Sequence, residues 1–460
     1  MIRRIFSWFC FFTAIACILS SGLQAAETMP PLQDSDRILI LAPHPDDEAI
    51  GVGGIMQEAI SRLLPTKVVY LTNGDNNELA FIVYEKRLVF KRNGLIAMGQ
   101  LRRQEAINAM TALGLSANDL IFLGYPDAGT LSIFTQYWGS TTTPYKSFLT
   151  RVRQVPYKYS MSFGAPYVGE SILRDLEKIL LDFKPTRIFV SHPMDNNPDH
   201  RAFYLFLKVA LWDLGTKVPT PEIYPYLIHE ARWPLPRGFH PELRLAPSEK
   251  VKDSDIRWFD WNLTPAQINK KRETIAFYKS QVEYNPPYLF TFARQNELFG
   301  DYLPIVVKDN PDGHLDWQNI AAKQHIGVAQ VDEESLEQPV FDSLAYARQD
   351  GYLYIRVMPR TWNDKLLGVN LYLLGYRRGL PFAYMPKYHF KINFSKFVSV
   401  YEKGRRVFVR DMTVIREGGA IVIKFPLVSL ENPQYILSSA RSYLNNSSVD
   451  RTAWRVLLLE

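Results

Sequence analysis

Residues 38–48 read ILILAPHPDDE, and this stretch constrains the chain more than any other. The aliphatic run Ile38, Leu39, Ile40, Leu41 describes a strand buried on both faces, as in a parallel sheet covered by helices. Pro43 ends the run, and His44, Asp46, Asp47 and Glu48 follow at once. The acidic cluster is therefore expected in the loop at the strand's carboxyl end, the edge where open α/β sheets bind ligands. His44 and Asp47, three apart across a tight turn, can converge on one cation with imidazole nitrogen and carboxylate oxygen, ligand types that zinc takes at hydrolytic sites. Asp46 is left free as a base. Taken alone, the cluster also describes a solvated turn or a helix cap. A second half of the site is needed.

It lies roughly 150 residues on. RIFVSH (Arg187 to His192) is another buried-strand run, followed by PMDNNPDHRAF, in which Asp199 and His200 open a helix. Phe203, Phe206, Leu207, Ala210, Leu211 and Leu214 recur at spacings of three and four, so this helix lays an apolar face on the sheet. Its first turn faces the edge that carries His44, and the two motifs can meet. A first helix is expected over Glu48 to Leu64, with Ile50, Ile55, Met56, Ala59, Ile60 and Leu63 as a core stripe and Glu48 suiting the positive end of the dipole. GVGG (Gly51 to Gly54) lacks dinucleotide-binding spacing and reads as close packing of helix on strand near the acidic loop.

Several ordered motifs now stand together: HPDDE with GVGG behind it, TNGD (Thr72 to Asp75), a helix bearing Arg102, Glu105, Leu113 and Gly114, PDHRA (198–202), YKSQ (278–281) and RQNELF (294–299). Over roughly residues 37–305 the chain resembles the LmbE/PIG-L-type zinc-dependent N-acetylglucosaminyl deacetylase family. The resemblance implies zinc held by His44, Asp47 and His200, with Asp46 as the base that takes a proton from a water whose pKa zinc lowers to about 7. It also implies that Arg102 reaches substrate, although Arg102 and Glu105 are equally spaced for an ion pair on one helix face. Asp127, in the YPDAG turn after a strand at Leu120 to Leu123, matches a recurrent family aspartate and is expected to bind a substrate hydroxyl. Asp199 either caps its helix or accepts a hydrogen bond from a ligand imidazole.

One position departs from the family pattern. Three residues before the second histidine ligand the family has another histidine, and this chain has Asn197. An amide donates a hydrogen bond to a developing oxyanion but cannot shuttle a proton. Asp46 is then expected to return its proton to the leaving amine, with His192, eight residues from the ligand, the weaker substitute.

The first 25 residues carry Arg3 and Arg4, an apolar stretch from Ile5, and small residues around Ser20 to Ala26, the pattern of a cleaved secretory signal peptide. An uncleaved anchor, or a lipoprotein site at Cys17 with Ala14 in place of the usual leucine, fits less well. Both cysteines, Cys10 and Cys17, lie in this leader, so the mature fold cannot rest on disulfides. Removing two arginines from 53 basic and 47 acidic residues leaves 51 against 47, or +4. That excess is too small and interspersed to imply nucleic acid. No later segment is apolar enough to suggest a membrane span, and the reading is of a periplasmic or secreted protein.

Strand-like runs near 37–42, 67–72, 120–123, 186–191 and 222–228 alternate with helical patterns, which predicts a Rossmann-like parallel sheet with helices on both faces over residues 34–305. Two long insertions, Asn76–Gly99 and Ala128–Val168, interrupt the rhythm. The second, with Trp138, Tyr145, Tyr157, Tyr159, Phe163 and Tyr167, is expected to wall a sugar site. KDNPDGH (Lys308 to His314) reads as a linker. Beyond it alternation takes over, with Leu353, Ile355 and Val357 set against Tyr352, Tyr354 and Arg356, and Val407 and Val409 against Phe408 and Arg410. Residues 306–460 are accordingly expected to form an accessory β-sandwich. The function expected is removal of N-acetyl groups from amino sugars in a GlcNAc-containing oligo- or polysaccharide or glycoconjugate. The alternatives are hydrolysis of another amide on a sugar conjugate, or glycan binding by a catalytically weak site.

Overall fold

A computed structural model describes residues 26–76, 92–139, 142–248, 255–283, 285–311, 313–324, 326, 328–330, 341–360, 367–394, 397–444 and 447–460. The expected leader at 1–25 and residues 77–91 of the first insertion lie outside the described residues. Strands β1 (Glu27–Thr28), β2 (Ile38–Ala42), β3 (Thr66–Thr72), β4 (Leu120–Tyr125), β5 (Arg187–Ser191), β6 (Glu222–Tyr226), β7 (Ile256–Asn262) and β8 (Asn296–Tyr302) form one sheet in the order β1-β7-β8-β6-β5-β2-β3-β4. From β4 to β6 all neighbours are parallel, as the alternating pattern predicts. The far side differs: β8 runs antiparallel to both β6 and β7, so the sheet is mixed at that edge.

The chain winds outward from β2 to β3 and β4, then restarts on the other side with β5 and β6. The switch point therefore falls between β2 and β5. Their register pairs Ile38 with Arg187 and Leu41 with Val190. The loops beginning at Pro43 and His192 consequently leave side by side, at the crevice where doubly wound sheets place their ligands.

Every residue of β2 is buried, and alternate side chains enter opposite cores. Ile38, Ile40 and Ala42 pack with Ile55, Met56 and Ala59 of the helix Asp47–Ser61 and with Ala106 and Met110 of the helix Arg92–Leu113. Leu39 and Leu41 pack with Leu176 and Leu180 of the helix Gly169–Phe183 and with Phe203, Phe206 and Leu207 of the helix Pro198–Leu214. The Arg92–Leu113 helix already covers the last residues assigned from sequence to an insertion.

A Cβ on Gly51 would stand 2.7 Å from the Tyr226 ring, and one on Gly54 only 2.1 Å from Leu263 Cδ2. GVGG thus lets the first helix press against distant segments. At the same place Glu297, on β8, accepts the Gly54 and Ile55 backbone N–H groups at 2.6 and 3.0 Å and pairs with Lys271 at 2.6 Å. Both charged side chains are fully buried.

The second insertion sends several of its rings into the core. Trp138, Tyr157 and Tyr167 are buried, and Trp138 packs against Phe134, Phe206 and Phe382. This corrects the expectation of sugar-stacking walls for these three rings: Trp138 packs on Phe206 of the helix Pro198–Leu214 and on Phe382, Tyr167 meets Tyr125, and Tyr157 lies beside Gly99 and Gly124 with its hydroxyl donating to Asp75 at 2.5 Å. Phe163 is exposed.

Past β9 (Ile305–Val307) and an unforeseen helix, Trp317–Gln324, the described elements are strands apart from one short helical turn at Leu427–Leu430. The elements are β10 (Val328–Gln330), β11 (Phe341–Gln349), β12 (Tyr352–Pro359), β13 (Leu367–Tyr376), β14 (Lys387–Asn393), β15 (Val398–Glu402), β16 (Arg405–Val407), β17 (Thr413–Glu417), β18 (Ala420–Pro426), β19 (Tyr435–Leu444), β20 (Ser447–Thr452) and β21 (Arg455–Leu459). One sheet of four strands, β11-β12-β18-β17, faces a nine-stranded one that includes β9 and β21. Leu353, Ile355 and Val357 from the first share a core with Val369, Leu371 and Phe390 from the second, which makes the expected sandwich.

Removing one member of a buried ion pair strands the other charge. Lys271→Met is therefore expected to cost about 3–5 kcal/mol in urea unfolding. The double variant Lys271→Met/Glu297→Gln, with no carboxylate left to strand, should recover part of that loss.

Candidate metal centre

The first loop is tightly built. Asp46 has φ 123°, a left-handed-side value that costs an L-residue energy and needs enforcement. Its N–H donates to Glu48 Oε2 at 3.1 Å and its carbonyl accepts from Ile50 N–H at 3.0 Å. Arg102 closes the other side, donating to the Pro45 carbonyl at 2.8 Å and the Gly74 carbonyl at 3.0 Å, and lying 3.3 Å from Asp46 Oδ2. A Cβ on Gly74, at φ +66°, would stand 1.9 Å from that guanidinium, so the TNGD glycine admits the arginine. Glu48 is wholly buried and accepts from the hydroxyls of Tyr70, at 2.8 Å, and Tyr278. It is a buried tie between three segments, well beyond a dipole charge at a helix start.

The second loop runs from His192 to Asn197. Asn197 caps the helix Pro198–Leu214, its Oδ1 accepting the Asp199 N–H at 2.8 Å, with Pro198 pre-set in the first turn. Asp199 is thus not the cap. Its carboxylate accepts from Ala128 N–H at 2.6 Å and Thr130 N–H at 3.0 Å, and lies 3.3 Å from His44 Nε2.

His44, Asp47 and His200 meet. Asp47 Oδ2 is 3.1 Å from His44 Nδ1 and 3.1 Å from His200 Nε2, and the two rings lie 5.3 Å apart between centroids. Ligand atoms of a tetrahedral zinc site with bonds near 2.0–2.1 Å are about 3.3 Å apart, so these three suit one small cation. His200 is fully buried, yet neither of its ring nitrogens is in hydrogen-bond geometry with a described residue. Such an orphaned donor set is what an ion would satisfy. Carboxylates flank the outer nitrogens: Asp127 Oδ1 and Asp199 Oδ2 each lie 3.3 Å from His44 Nε2, and Asp195 Oδ2 lies 3.2 Å from His200 Nδ1. Outer partners of this kind fix the orientation of metal-binding imidazoles.

The field of the cluster favours positive charge. Burial alone would lower both histidines, but Asp127, Asp199 and Asp47 raise His44 well above its ordinary value, and Asp195 with Asp47 raises His200 to about 9. Asp47, despite burial, is held well below the usual carboxylate range by His200 and His44. Asp46 behaves oppositely: burial pushes it up to about 8, with Arg102 opposing and Asp47 reinforcing. Two adjacent aspartates thus take opposite shifts, the separation wanted between a ligand and a proton acceptor.

A cleft of about 460 Å³ opens over the cluster, within the size range of small-molecule sites. His44, Asp46, Asp47, Asn197, Arg102 and Asp127 all line it. Arg102 and Asp127 are also tied down within the protein, Asp127 by accepting the Asn76 N–H at 2.8 Å. Glu105, the suggested helix-face partner of Arg102, instead accepts the Ser280 N–H and hydroxyl at 2.8 and 2.7 Å. His192 is absent from the lining. It stacks on Trp258 at 5.8 Å, and burial pushes it down to about 3, which removes it as a substitute acid.

His229, just beyond β6, also lines the cleft and was not foreseen. Its ring meets His200 edge-on at 4.7 Å, and burial pushes it down to about 4. Its backbone N–H and that of Ile228 donate to Asp195 Oδ2 at 2.9 and 3.1 Å. A histidine following a buried strand beside RIFVSH was the available signal.

Comparison with known proteins bears on residues 39–211, which match the family model described as PIG-L: GlcNAc-PI de-N-acetylase. Among curated relatives, a 1D-myo-inositol 2-acetamido-2-deoxy-alpha-D-glucopyranoside deacetylase from Mycobacterium sp. (strain KMS) is 33% identical over 116 residues, 25% of this chain and 36% of that protein. The chain thus spans about a third of that relative's length. Among solved structures, the conserved protein TT1542 from Thermus thermophilus is 20% identical, with 56% of this chain and 84% of that chain covered at a TM-score of 0.33. The N,N'-diacetylchitobiose deacetylase from Pyrococcus horikoshii is 19% identical, with 57% and 82% covered at a TM-score of 0.36. On the family match and the motifs that carry it, the chain contains a domain of the PIG-L (LmbE-like) deacetylase family.

Proposed function

We propose that the protein is a zinc-dependent N-deacetylase that releases acetate from N-acetylglucosamine units of an oligo- or polysaccharide outside the cytoplasm. The convergence of His44, Asp47 and His200, with Asp46 beside them and oppositely shifted, carries this reading. The substrate class draws support from the family description and from the Mycobacterium relative, both named for deacetylation of GlcNAc conjugates. The leader pattern in residues 1–25 supports the location, and no described helix is long and apolar enough to cross a membrane.

A zinc ion held by His44, Asp47 and His200 would supply Lewis acidity, acidifying water and polarising the acetyl carbonyl. Asp46 then takes the proton of the attacking water on its carboxylate, which Arg102 and the strained backbone aim into the cleft. Asn197 spends its Oδ1 on the helix cap, so it presents its amide N–H group to the oxygen of the tetrahedral adduct. Asp46, protonated and buried, returns the proton to the departing amine. Acetate and a free amino sugar result. Asn197 in place of a histidine also favours a second reading, a glycan-binding protein with weak turnover.

Two variants test the scheme on acetylated chitooligosaccharides. Asp46→Asn is expected to lower kcat by about 10²–10⁴-fold while zinc content, read by elemental analysis, stays at one per chain. Equal rates for variant and wild type would remove Asp46 as base. Asn197→Ser keeps a capping side chain but withdraws the amide donor, so kcat should fall about 10²–10³-fold with little change in Tm. Zinc uptake with tight glycan binding and no acetate release from the wild type would favour the binding reading.

A further inference from the structure

We infer that Arg451, in the C-terminal β-sandwich, is a positioning residue for the metal cluster, holding the loop Pro193–Asn197 and through Asp195 the orientation of His200 and the backbone of His229. The inference rests on the zinc reading above. Arg451 lies on β20 and is 3% exposed. It donates to the Met194 carbonyl at 2.6 Å, to the Asn196 carbonyl at 3.3 Å and to Asn196 Oδ1. Three residues on, the Trp454 N–H donates to the Pro193 carbonyl at 3.2 Å. The sandwich therefore grips the loop at residues 193, 194 and 196, on either side of Asp195.

What Asp195 does explains why that grip matters. Its Oδ1 accepts the Asn197 N–H at 2.8 Å, while Oδ2 accepts from Ile228 and His229 and faces His200 Nδ1 at 3.2 Å. From the opposite side Asn196 N–H donates to the His229 carbonyl at 2.7 Å. A shift of this loop moves an imidazole's partner, the Asn197 donor and a cleft histidine together. The anchor is firm, because β21 pairs in parallel with β9, where the chain leaves the catalytic sheet. Arginine suits this position because its planar fork reaches the Met194 and Asn196 acceptors in a fixed geometry, whereas an ammonium is a compact point charge.

The test uses the full chain with Arg451→Met, Arg451→Lys and a control, Arg455→Met. Arg455 is equally buried at the same junction but donates to Asp255 at 2.5 Å and to the Leu303 carbonyl at 3.0 Å. Zinc affinity by chelator competition, the visible spectrum of the cobalt(II) form and Tm are measured. Zinc affinity is expected to fall about 10–100-fold in Arg451→Met, with an altered cobalt spectrum. Arg451→Lys should regain Tm without regaining affinity, and Arg455→Met should lower Tm with affinity intact. Should Arg451→Met not fold, Arg451→Lys carries the comparison. Wild-type affinity and spectrum in the Arg451 variants that fold would overturn the role of Arg451 alone, whereas wild-type protein that binds no metal would overturn the zinc reading itself.

Discussion

A single carboxylate oxygen, Asp47 Oδ2, stands between two imidazoles that are 156 positions apart in the chain, and the rest of the site is arranged around that meeting. What brings the rings together is the parallel register of β2 on β5, which releases both loops at one edge. Neither loop is long enough to wander, and each is bound at several backbone positions by groups from elsewhere in the fold. Carboxylates then outnumber cations inside a buried pocket, an arrangement that invites an added positive charge.

The neighbouring aspartate shows how one residue step separates two environments. Asp47 enters the first turn of a helix and faces both histidines, while Asp46 is twisted out by its positive φ towards Arg102. Sequence alone presents them as a DD pair. The three-residue spacing from His44 already singles out Asp47, and the backbone angle and the guanidinium supply the physical reason that Asp46 turns elsewhere.

The central strands and the meeting of His44, Asp47 and His200 were legible because their signals are local. Runs such as ILILA and RIFVS announce burial on both faces, and each is followed within nine residues by one histidine of the cluster, His44 and His200. The features that escaped are those whose partners lie far along the chain. Glu48 reads as a helix-start charge until Tyr278, 230 positions away, is seen to donate to it. Trp138 reads as a sugar platform until Phe206 and Phe382 are found against it. Strand β7 escaped because IRWFDWN alternates poorly, its burial set by the antiparallel partner β8 and not by its own pattern.

The segment that matches the family ends at residue 211, yet the first helix is pressed by Tyr226, tied through Glu48 to Tyr278 and gripped in mid-course by Glu297. The two motifs that carry the cluster are therefore an incomplete inheritance. Transplanting HPDDE and PDHRA to another parallel sheet would carry over the two histidines and the aspartate between them without the distant residues that shape them, and a fragment excised at the family boundary would lose one wall of its own interior.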